Sequence, residues 1–161
     1  FAEIGPAMLA ASDDGYDVLV GSLPGDMHRF AEYADHPLPS KHDAIEYANG
    51  VYSTAAGRYQ ILSRYWAHYR DQLGLPDFGP VSQDRYAIQQ IKEQRALPVI
   101  QAGRFIEAVK RCRNIWASLP GAGYGQHEHD IETLARVYAE AGGQFSGTAR
   151  DWYDEVDARH A

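Results

Sequence analysis

The chain has 161 residues, a length that suits one domain with a real hydrophobic core and is short for two. Its hydrophobic fraction of 45% and charged fraction of 23% are typical of a globular protein, and no apolar run reaches the roughly 20 residues that cross a bilayer, so we expect no membrane insertion. The formal net charge of −7 argues against nucleic acid as a partner, because phosphate binding needs a basic stripe.

The N-terminal third of the chain combines a short helix with an irregular region. Residues 3–11 carry apolar side chains on one side and predict a short helix that ends near Ser12. Residues 16–21 form a compact apolar run that predicts a strand. Residues 22–52 contain scattered Pro and Gly, and they predict either a small hairpin region or a long functional loop.

The rest of the chain shows helical periodicity. Apolar side chains recur at steps of three and four, and they predict helices over residues 59–73, 82–97, 103–109 and 130–141. Ser82 has the residue type of an N-cap for the second of these helices. Five or six helices with one small β region indicate an α+β fold, in which a mostly helical lobe and a small β region flank a cleft that suits a polymer.

Two segments indicate the kind of ligand. Residues 53–62 and 114–126 are turns rich in small residues or glycine, each beside a helical apolar pattern. At the edge of each turn stand a Tyr and a Gln, namely Tyr59 with Gln60 and Tyr124 with Gln126. Glycine lets a backbone approach a ligand closely, while Tyr offers a flat apolar face and Gln offers amide donors and acceptors. This combination predicts binding of an extended polar polymer such as a glycan.

Several segments together carry a family resemblance. They cover roughly residues 8–143 and comprise residues 15–21, 33–37, 53–60, 72–75, 82–84, 89–93, 96–98 and 114–126. The last of them, Asn114-Ile-Trp-Ala-Ser-Leu-Pro-Gly-Ala-Gly-Tyr-Gly-Gln126, is the most specific, and it occurs beside Ala56-Gly-Arg-Tyr-Gln60. On these segments the chain resembles the phage endolysins of the lambda type, a lysozyme-like family of lytic transglycosylases classed as glycoside hydrolase family 104.

The resemblance implies a monomeric lysozyme-like enzyme that cleaves the β-1,4 bond between N-acetylmuramic acid and N-acetylglucosamine in bacterial peptidoglycan. The reaction leaves a 1,6-anhydro ring on the muramic acid, and no cofactor takes part. Residues 1–143 would form the catalytic domain, and residues 144–161 a polar C-terminal tail that packs on the domain or trails from it. The enzyme would be made in the host cytoplasm and act on the cell wall in the periplasm, by an export route that the chain does not show.

By the same resemblance, catalysis needs one carboxyl, a Glu at the end of the first helix, which acts first as a proton donor and then as a base. Asp13 takes that position, because it follows Ser12 and the loop before residues 15–17 is missing or shortened. An Asp side chain is one methylene shorter than Glu, and a misplacement of about 1 Å can cost on the order of 10²-fold in rate.

Three interpretations of this difference remain. Asp13 is the natural acid of a shortened branch, or it is an engineered replacement that weakens the enzyme, or the acid lies elsewhere. For the third case Asp14 is the first candidate and Glu3 a distant second. In the first case we expect Asp13 to be partly buried against apolar neighbours such as Met8 or an aromatic side chain, because a general acid must keep its proton near neutral pH.

The resemblance also assigns substrate-binding residues. Gln60 belongs to a Gly-x-x-Gln element whose Gln reaches an acetamido group of the substrate. Tyr59 beside it binds the substrate or packs in the core. Tyr124 and Gln126 are expected on the opposite wall of the cleft.

Four further residues are candidates for the same glycan site. Tyr16 and Asp17 follow the shortened loop, where Asp17 orients the substrate or caps the turn into the first strand. Ser53 and Thr54 are expected at the mouth of the cleft, where they bond sugar hydroxyls or cap the following helix. 

Other motifs lack the partners that their chemistry needs. His127-Glu-His129 has no third spaced ligand, so we predict no metal site. The single Cys112 excludes an internal disulfide, and the scattered His residues indicate no cofactor. Two other functions stay open: a hydrolytic muramidase of the same fold, and a glycan-binding domain that has lost its acid.

Overall fold

The computed structural model describes residues 4–125 and 128–160. These residues divide into two compact units, with the boundary between Ala87 and Ile88. The fold is α+β and lysozyme-like, and the described ranges contain seven α-helices and two small antiparallel sheets. Within the same ranges no helix has the length and hydropathy of a membrane span. The assignment of residues 1–143 to a catalytic domain and of residues 144–161 to a tail stays a prediction.

The first unit contains the sheets and the first helices. In chain order its elements are α1 (Pro6–Ala10), a 3₁₀ turn (Lys41–Asp43), β1 (Ile45–Ala48), β2 (Val51–Ser53), β3 (Ala55–Ala56), β4 (Ile61–Leu62), α2 (Ser63–Leu73) and the start of α3 (Pro80–Glu93). Strand β1 pairs with β2, and β3 pairs with β4, both antiparallel. Helix α2 ends at Gly74, whose left-handed φ of 59° glycine adopts without strain.

The core of the first unit is aromatic. Phe78 lies at its centre with no exposed surface, and the Trp66 ring meets it edge-on at 4.8 Å between centroids. Ala56 and Ile61 bring the second sheet into the same cluster. A smaller cluster of Ile4, Leu9 and Val18 fixes helix α1, with Met8 packed against it. Burial of these side chains is the main favourable term that holds the unit together.

The second unit is helical. It contains the end of α3, then α4 (Leu97–Gln101), α5 (Phe105–Cys112), α6 (Ile131–Glu140) and α7 (Thr148–His160). Its core forms around Phe105, Leu134 and Ala135. The polar C-terminal segment docks onto this core, because Trp152 and Tyr153 of α7 pack against the cluster.

Several local predictions are wrong. The predicted helix over residues 59–73 begins only at Ser63, because Ile61–Leu62 pair with β3 as strand β4, and the helix predicted over residues 82–97 ends at Glu93. The predicted strand over residues 16–21 makes only isolated bridges, from Val18 and Leu19, because the chain there turns tightly after α1. Ser82 is not the N-cap of α3, which begins at Pro80. Asp77 stabilises this helix start instead, since its Oδ1 accepts hydrogen bonds from the Gly79 N–H at 2.8 Å and from the Ser82 hydroxyl at 2.9 Å.

Candidate active site

A tight turn follows α1 and carries the candidate acid. The Ser12 hydroxyl donates to the Met8 carbonyl at 2.6 Å and accepts the Gly15 N–H at 2.9 Å, which closes the turn. Gly15 has a φ of 84°, and a Cβ built on it would lie 2.9 Å from Leu9 Cδ2. Both its dihedral angle and its packing therefore require glycine.

Asp13 lies in this turn with its side chain held by a phenol. Its Oδ2 accepts a hydrogen bond from the Tyr33 hydroxyl at 2.7 Å, and its backbone N–H donates to Asp17 Oδ1 at 3.0 Å. The residue is exposed, so the expected partial burial against Met8 is wrong. The reason is local, because Met8 packs on the small cluster of the first unit while the turn carries Asp13 outward.

Asp17 is the buried partner of an arginine. It is 3% exposed, and its Oδ2 contacts Arg29 Nε at 2.6 Å and Nη2 at 2.5 Å. The hydrogen bond and the charge of Asp17 raise the pKa of the Arg29 guanidinium. Because Asp17 Oδ1 accepts the N–H of Asp13, the ion pair fixes the backbone of the candidate acid.

These side chains surround an open pocket of about 410 Å³ in the first unit. Its lining consists of Asp13, Asp17, Arg29, Phe30, Ala31 and Tyr33. The pocket therefore offers one held carboxyl, an ion pair and two aromatic faces, a combination that suits a sugar.

A buried amide joins three parts of the first unit. Gln83 has no exposed surface, and its Nε2 donates to the carbonyls of Tyr16 at 2.9 Å and Phe78 at 2.8 Å. Its Oε1 accepts the backbone N–H of Arg58 at 3.0 Å. One side chain thus joins the turn after α1, the turn at residues 57–60 and the aromatic core.

The next residue along α3 joins two tyrosines. Asp84 Oδ1 accepts hydrogen bonds from the Tyr16 hydroxyl at 2.8 Å and the Tyr59 hydroxyl at 2.7 Å. Desolvation and the bond to Asp84 raise the pKa of both phenols, so both stay protonated donors. The Arg58 guanidinium carbon lies 5.1 Å from the Tyr16 ring centroid, within cation–π range.

The predicted substrate residues after the hairpin take part in local structure. Gln60 adopts a φ of 48°, and its Nε2 donates to the Gly57 carbonyl at 2.9 Å. Thr54 is buried, and its Oγ1 accepts the N–H of Ser63 at 3.2 Å and its hydroxyl at 3.0 Å, which supports the first turn of α2. Ser53 Oγ accepts the N–H of Ala55 at 3.1 Å.

Tyr124 belongs to the second unit, where it is 57% exposed, and its hydroxyl donates to the Asn114 carbonyl at 3.0 Å. The glycine loop beside it is fixed by Glu128, whose two carboxylate oxygens accept the N–H groups of Gly121 and Gly123, each at 2.8 Å. The hydrogen bonds from Gly123 and Gly121 lower the pKa of Glu128. Gln126 lies outside the described residues.

Sequence reasoning assigned no role to Tyr33, Arg29, Gln83 or Asp84. The segments 33–37 and 82–84 carried the resemblance, so three of these residues lay within recognised motifs. Contacts such as Arg29 with Asp17 and Asp84 with Tyr16 join positions 12 and 68 residues apart in sequence, and periodicity cannot reveal such pairs.

The comparisons with known proteins agree with this architecture. A family model described as Endolysin matches residues 1–145. The chain is 56% identical over 130 residues to the endolysin of Escherichia phage P2, a match covering 80% of this chain and 79% of the relative. It is 54% identical over 129 residues to the endolysin of Escherichia phage lambda, covering 80% and 76%.

Solved structures give the same result. The structure titled bacteriophage lambda lysozyme complexed with a chitohexasaccharide matches with a TM-score of 0.76 and 51% identity, over 83% of this chain and 81% of that one. A second structure of lysozyme from bacteriophage lambda matches with a TM-score of 0.70 and 49% identity over the same shares. A family model that spans most of the chain and relatives above half identity show that the chain belongs to the Endolysin family.

Proposed function

We propose that this enzyme is a lytic transglycosylase that uses Asp13 as its single acid and base. It is a peptidoglycan-degrading enzyme of the endolysin and lysozyme kind, as its relatives indicate. Our proposal further specifies which bond is cleaved and which product forms. The enzyme cleaves the β-1,4 bond between N-acetylmuramic acid and N-acetylglucosamine and leaves a 1,6-anhydro ring.

The observation that carries the assignment of Asp13 is the difference between the three aspartates of one turn. Asp14 pairs with Arg58, and Asp17 pairs with Arg29. Each of these two carboxylates is thus engaged by a guanidinium, which occupies the oxygen that would have to face a glycosidic bond. Asp13 contacts a phenol instead and lines the open pocket. Glu3, the remaining alternative, lies outside the described residues.

The reaction balances with this one carboxyl. Protonated Asp13 donates its proton to the glycosidic oxygen as the bond to C1 of muramic acid breaks. The C6 hydroxyl of the same sugar attacks C1, and the Asp13 carboxylate accepts its proton. A new C1–O6 bond replaces the glycosidic bond, the leaving sugar keeps the first proton, and Asp13 regains its acid form. No water is consumed.

We assign the remaining predicted residues to the glycan path. Tyr59 and Gln60 follow Gly57 in one turn, and Gln60 would bind an acetamido group by exchanging its bond to the Gly57 carbonyl for one to the substrate. Tyr16 presents a ring beside the same turn, and Tyr124 presents an exposed ring in the second unit. 

The other four predicted substrate residues are assigned on different grounds. Asp17 and Thr54 are buried and act through the backbone that they hold, while Ser53 offers a hydroxyl beside Thr54. Gln126 is assigned from the resemblance. We further propose that the enzyme acts as a monomer on the cell wall in the periplasm after synthesis in the host cytoplasm.

Mass spectrometry of digested sacculi tests the proposal. We expect products that end in 1,6-anhydro-N-acetylmuramic acid, each lighter by one water than a reducing end. Reducing ends would show a hydrolytic muramidase of the same fold. Binding of N-acetylglucosamine oligomers without any product would show a glycan-binding domain that has lost its acid.

A further inference from the structure

We infer that Tyr33 is a positioning residue that orients the Asp13 carboxyl for proton transfer. The inference rests on the proposed function, since it gives Asp13 its role. It adds a residue to which neither the sequence motifs nor the proposed mechanism assigns a task.

The contact itself is short and directional. The Tyr33 hydroxyl donates to Asp13 Oδ2 at 2.7 Å, a distance typical of a hydrogen bond from a hydroxyl to a carboxylate. Asp13 is exposed, so its side-chain torsions are not fixed by burial. A carboxyl on a surface turn samples several orientations, and each wrong orientation reduces the fraction of productive encounters. The phenol selects one of them.

Tyr33 is itself anchored in the core, so it can impose an orientation on the turn. Its backbone carbonyl accepts the N–H of Phe78 at 2.8 Å. Its ring meets Phe30 edge-on at 5.3 Å between centroids, and Phe30 packs on Phe78 at 5.9 Å. Because Phe78 is fully buried, the phenol is anchored on the aromatic core of the first unit.

The hydrogen bond also decides which oxygen of Asp13 carries the transferable proton. Desolvation, together with the bond to Asp13, raises the pKa of Tyr33 well above its ordinary value, so the hydroxyl stays a donor across the working range. While Oδ2 accepts that bond, the proton of the acid form resides on Oδ1. The backbone of Asp13 is fixed separately by Asp17, so Tyr33 acts on the carboxyl and Asp17 on the main chain.

The test compares two tyrosine hydroxyls that each donate to a carboxylate of the first unit. Tyr33→Phe removes the bond to Asp13, while Tyr52→Phe removes the bond of 2.9 Å from Tyr52 to Glu46 Oε2. Each variant is assayed on soluble uncrosslinked glycan strands for kcat and KM, and its Tm is measured. Asp13→Asn serves as the reference for loss of the acid.

We expect Tyr33→Phe to lower kcat by about 10- to 100-fold with KM within about twofold and with little change in Tm, since only orientation is lost. Tyr52→Phe should keep all three parameters. A Tyr33→Phe enzyme with kcat within twofold of wild type, or one whose kcat falls only together with Tm, would overturn the inference. Full activity in Asp13→Asn would overturn the proposed role of Asp13 itself. Normal activity in Tyr33→Phe beside an inactive Asp13→Asn would overturn only the inference about Tyr33.

Discussion

Gly57 and Gln83 are packed so closely that a Cβ built on Gly57 would lie 2.1 Å from Gln83 Oε1. Gly57 also has a φ of 77°, in the left-handed region. The close approach lets the buried amide reach the N–H of Arg58 at 3.0 Å and the carbonyl of Tyr16 at 2.9 Å. The turn after α1 and the turn at residues 57–60 are thus joined through one glutamine.

Gly57→Ala is expected to destabilise the first unit by about 2–4 kcal/mol, the sum of a strained dihedral angle and overpacking against Gln83. Gly25→Ala is the matched control, because Gly25 has a φ of 88° and nothing within 4 Å of a built Cβ. It should cost only about 1 kcal/mol. Urea unfolding measures the free energy of unfolding of both variants. Equal decreases in the two would show that the contact with Gln83 does not contribute to the cost of Gly57→Ala.

Asp84→Ala is expected to lower the free energy of unfolding by about 1–3 kcal/mol, because two partly buried phenols lose their acceptor. Asp84→Asn keeps an amide oxygen at the same place and should cost clearly less. The two variants are compared by thermal and urea unfolding. Similar losses in both would mean that the charge of Asp84, and not its acceptor oxygen, stabilises Tyr16 and Tyr59.

His36 makes stability depend on pH. It is buried, its Nδ1 accepts the N–H of Leu38, and its Nε2 lies 2.8 Å from the Ile61 carbonyl. Burial lowers the pKa of His36 below its ordinary value of about 6.5. The unfolded state therefore binds the proton more readily, so the stability contribution is complete above pH about 6.5 and is lost as pH falls.

We expect the free energy of unfolding to decline between pH 7 and pH 5, and this slope to flatten in His36→Gln. His42→Gln, at an exposed histidine, should keep the wild-type slope. Stability that is constant over this range in the wild-type chain would contradict the argument.

Glu128 is expected to order the glycine loop of the second unit. Glu128→Ala removes the acceptor of the Gly121 and Gly123 N–H groups, so hydrogen exchange at these amides should accelerate at least tenfold. Glu140→Ala, at the exposed end of α6, is the control and should leave the exchange unchanged. Unaltered protection in Glu128→Ala would show that the loop is held by other contacts.

Much of the helical framework could be predicted from the sequence, because apolar periodicity and glycine stops are local signals. Helix α2 ends at Gly74, as the sequence predicts, and α6 lies within the predicted 130–141. The predicted strand at residues 16–21 was wrong, because the apolar side chains of this run pack from a series of turns. Val18 is buried as it would be in a strand, so the apolar pattern indicated burial correctly but not the backbone conformation.

The candidate site was predictable only where it coincides with motifs. Asp13 came from the resemblance, whereas its partner Tyr33 lies 20 residues further along and is brought to it by aromatic packing. Asp17 looked like a substrate residue or a turn cap, but its pairing with Arg29 depends on a chain reversal that no local pattern encodes. Long-range pairs of this kind need the folded chain.

The most direct test of the account compares two neighbouring carboxyls. The initial rate at which anhydro ends appear from purified sacculi is measured for the wild-type chain, Asp13→Asn and Asp14→Asn. We predict a loss on the order of 10²- to 10⁴-fold for Asp13→Asn and a rate within about threefold of wild type for Asp14→Asn. A fully active Asp13→Asn enzyme, or an inactive Asp14→Asn enzyme that still folds, would contradict the assignment of Asp13 as the acid.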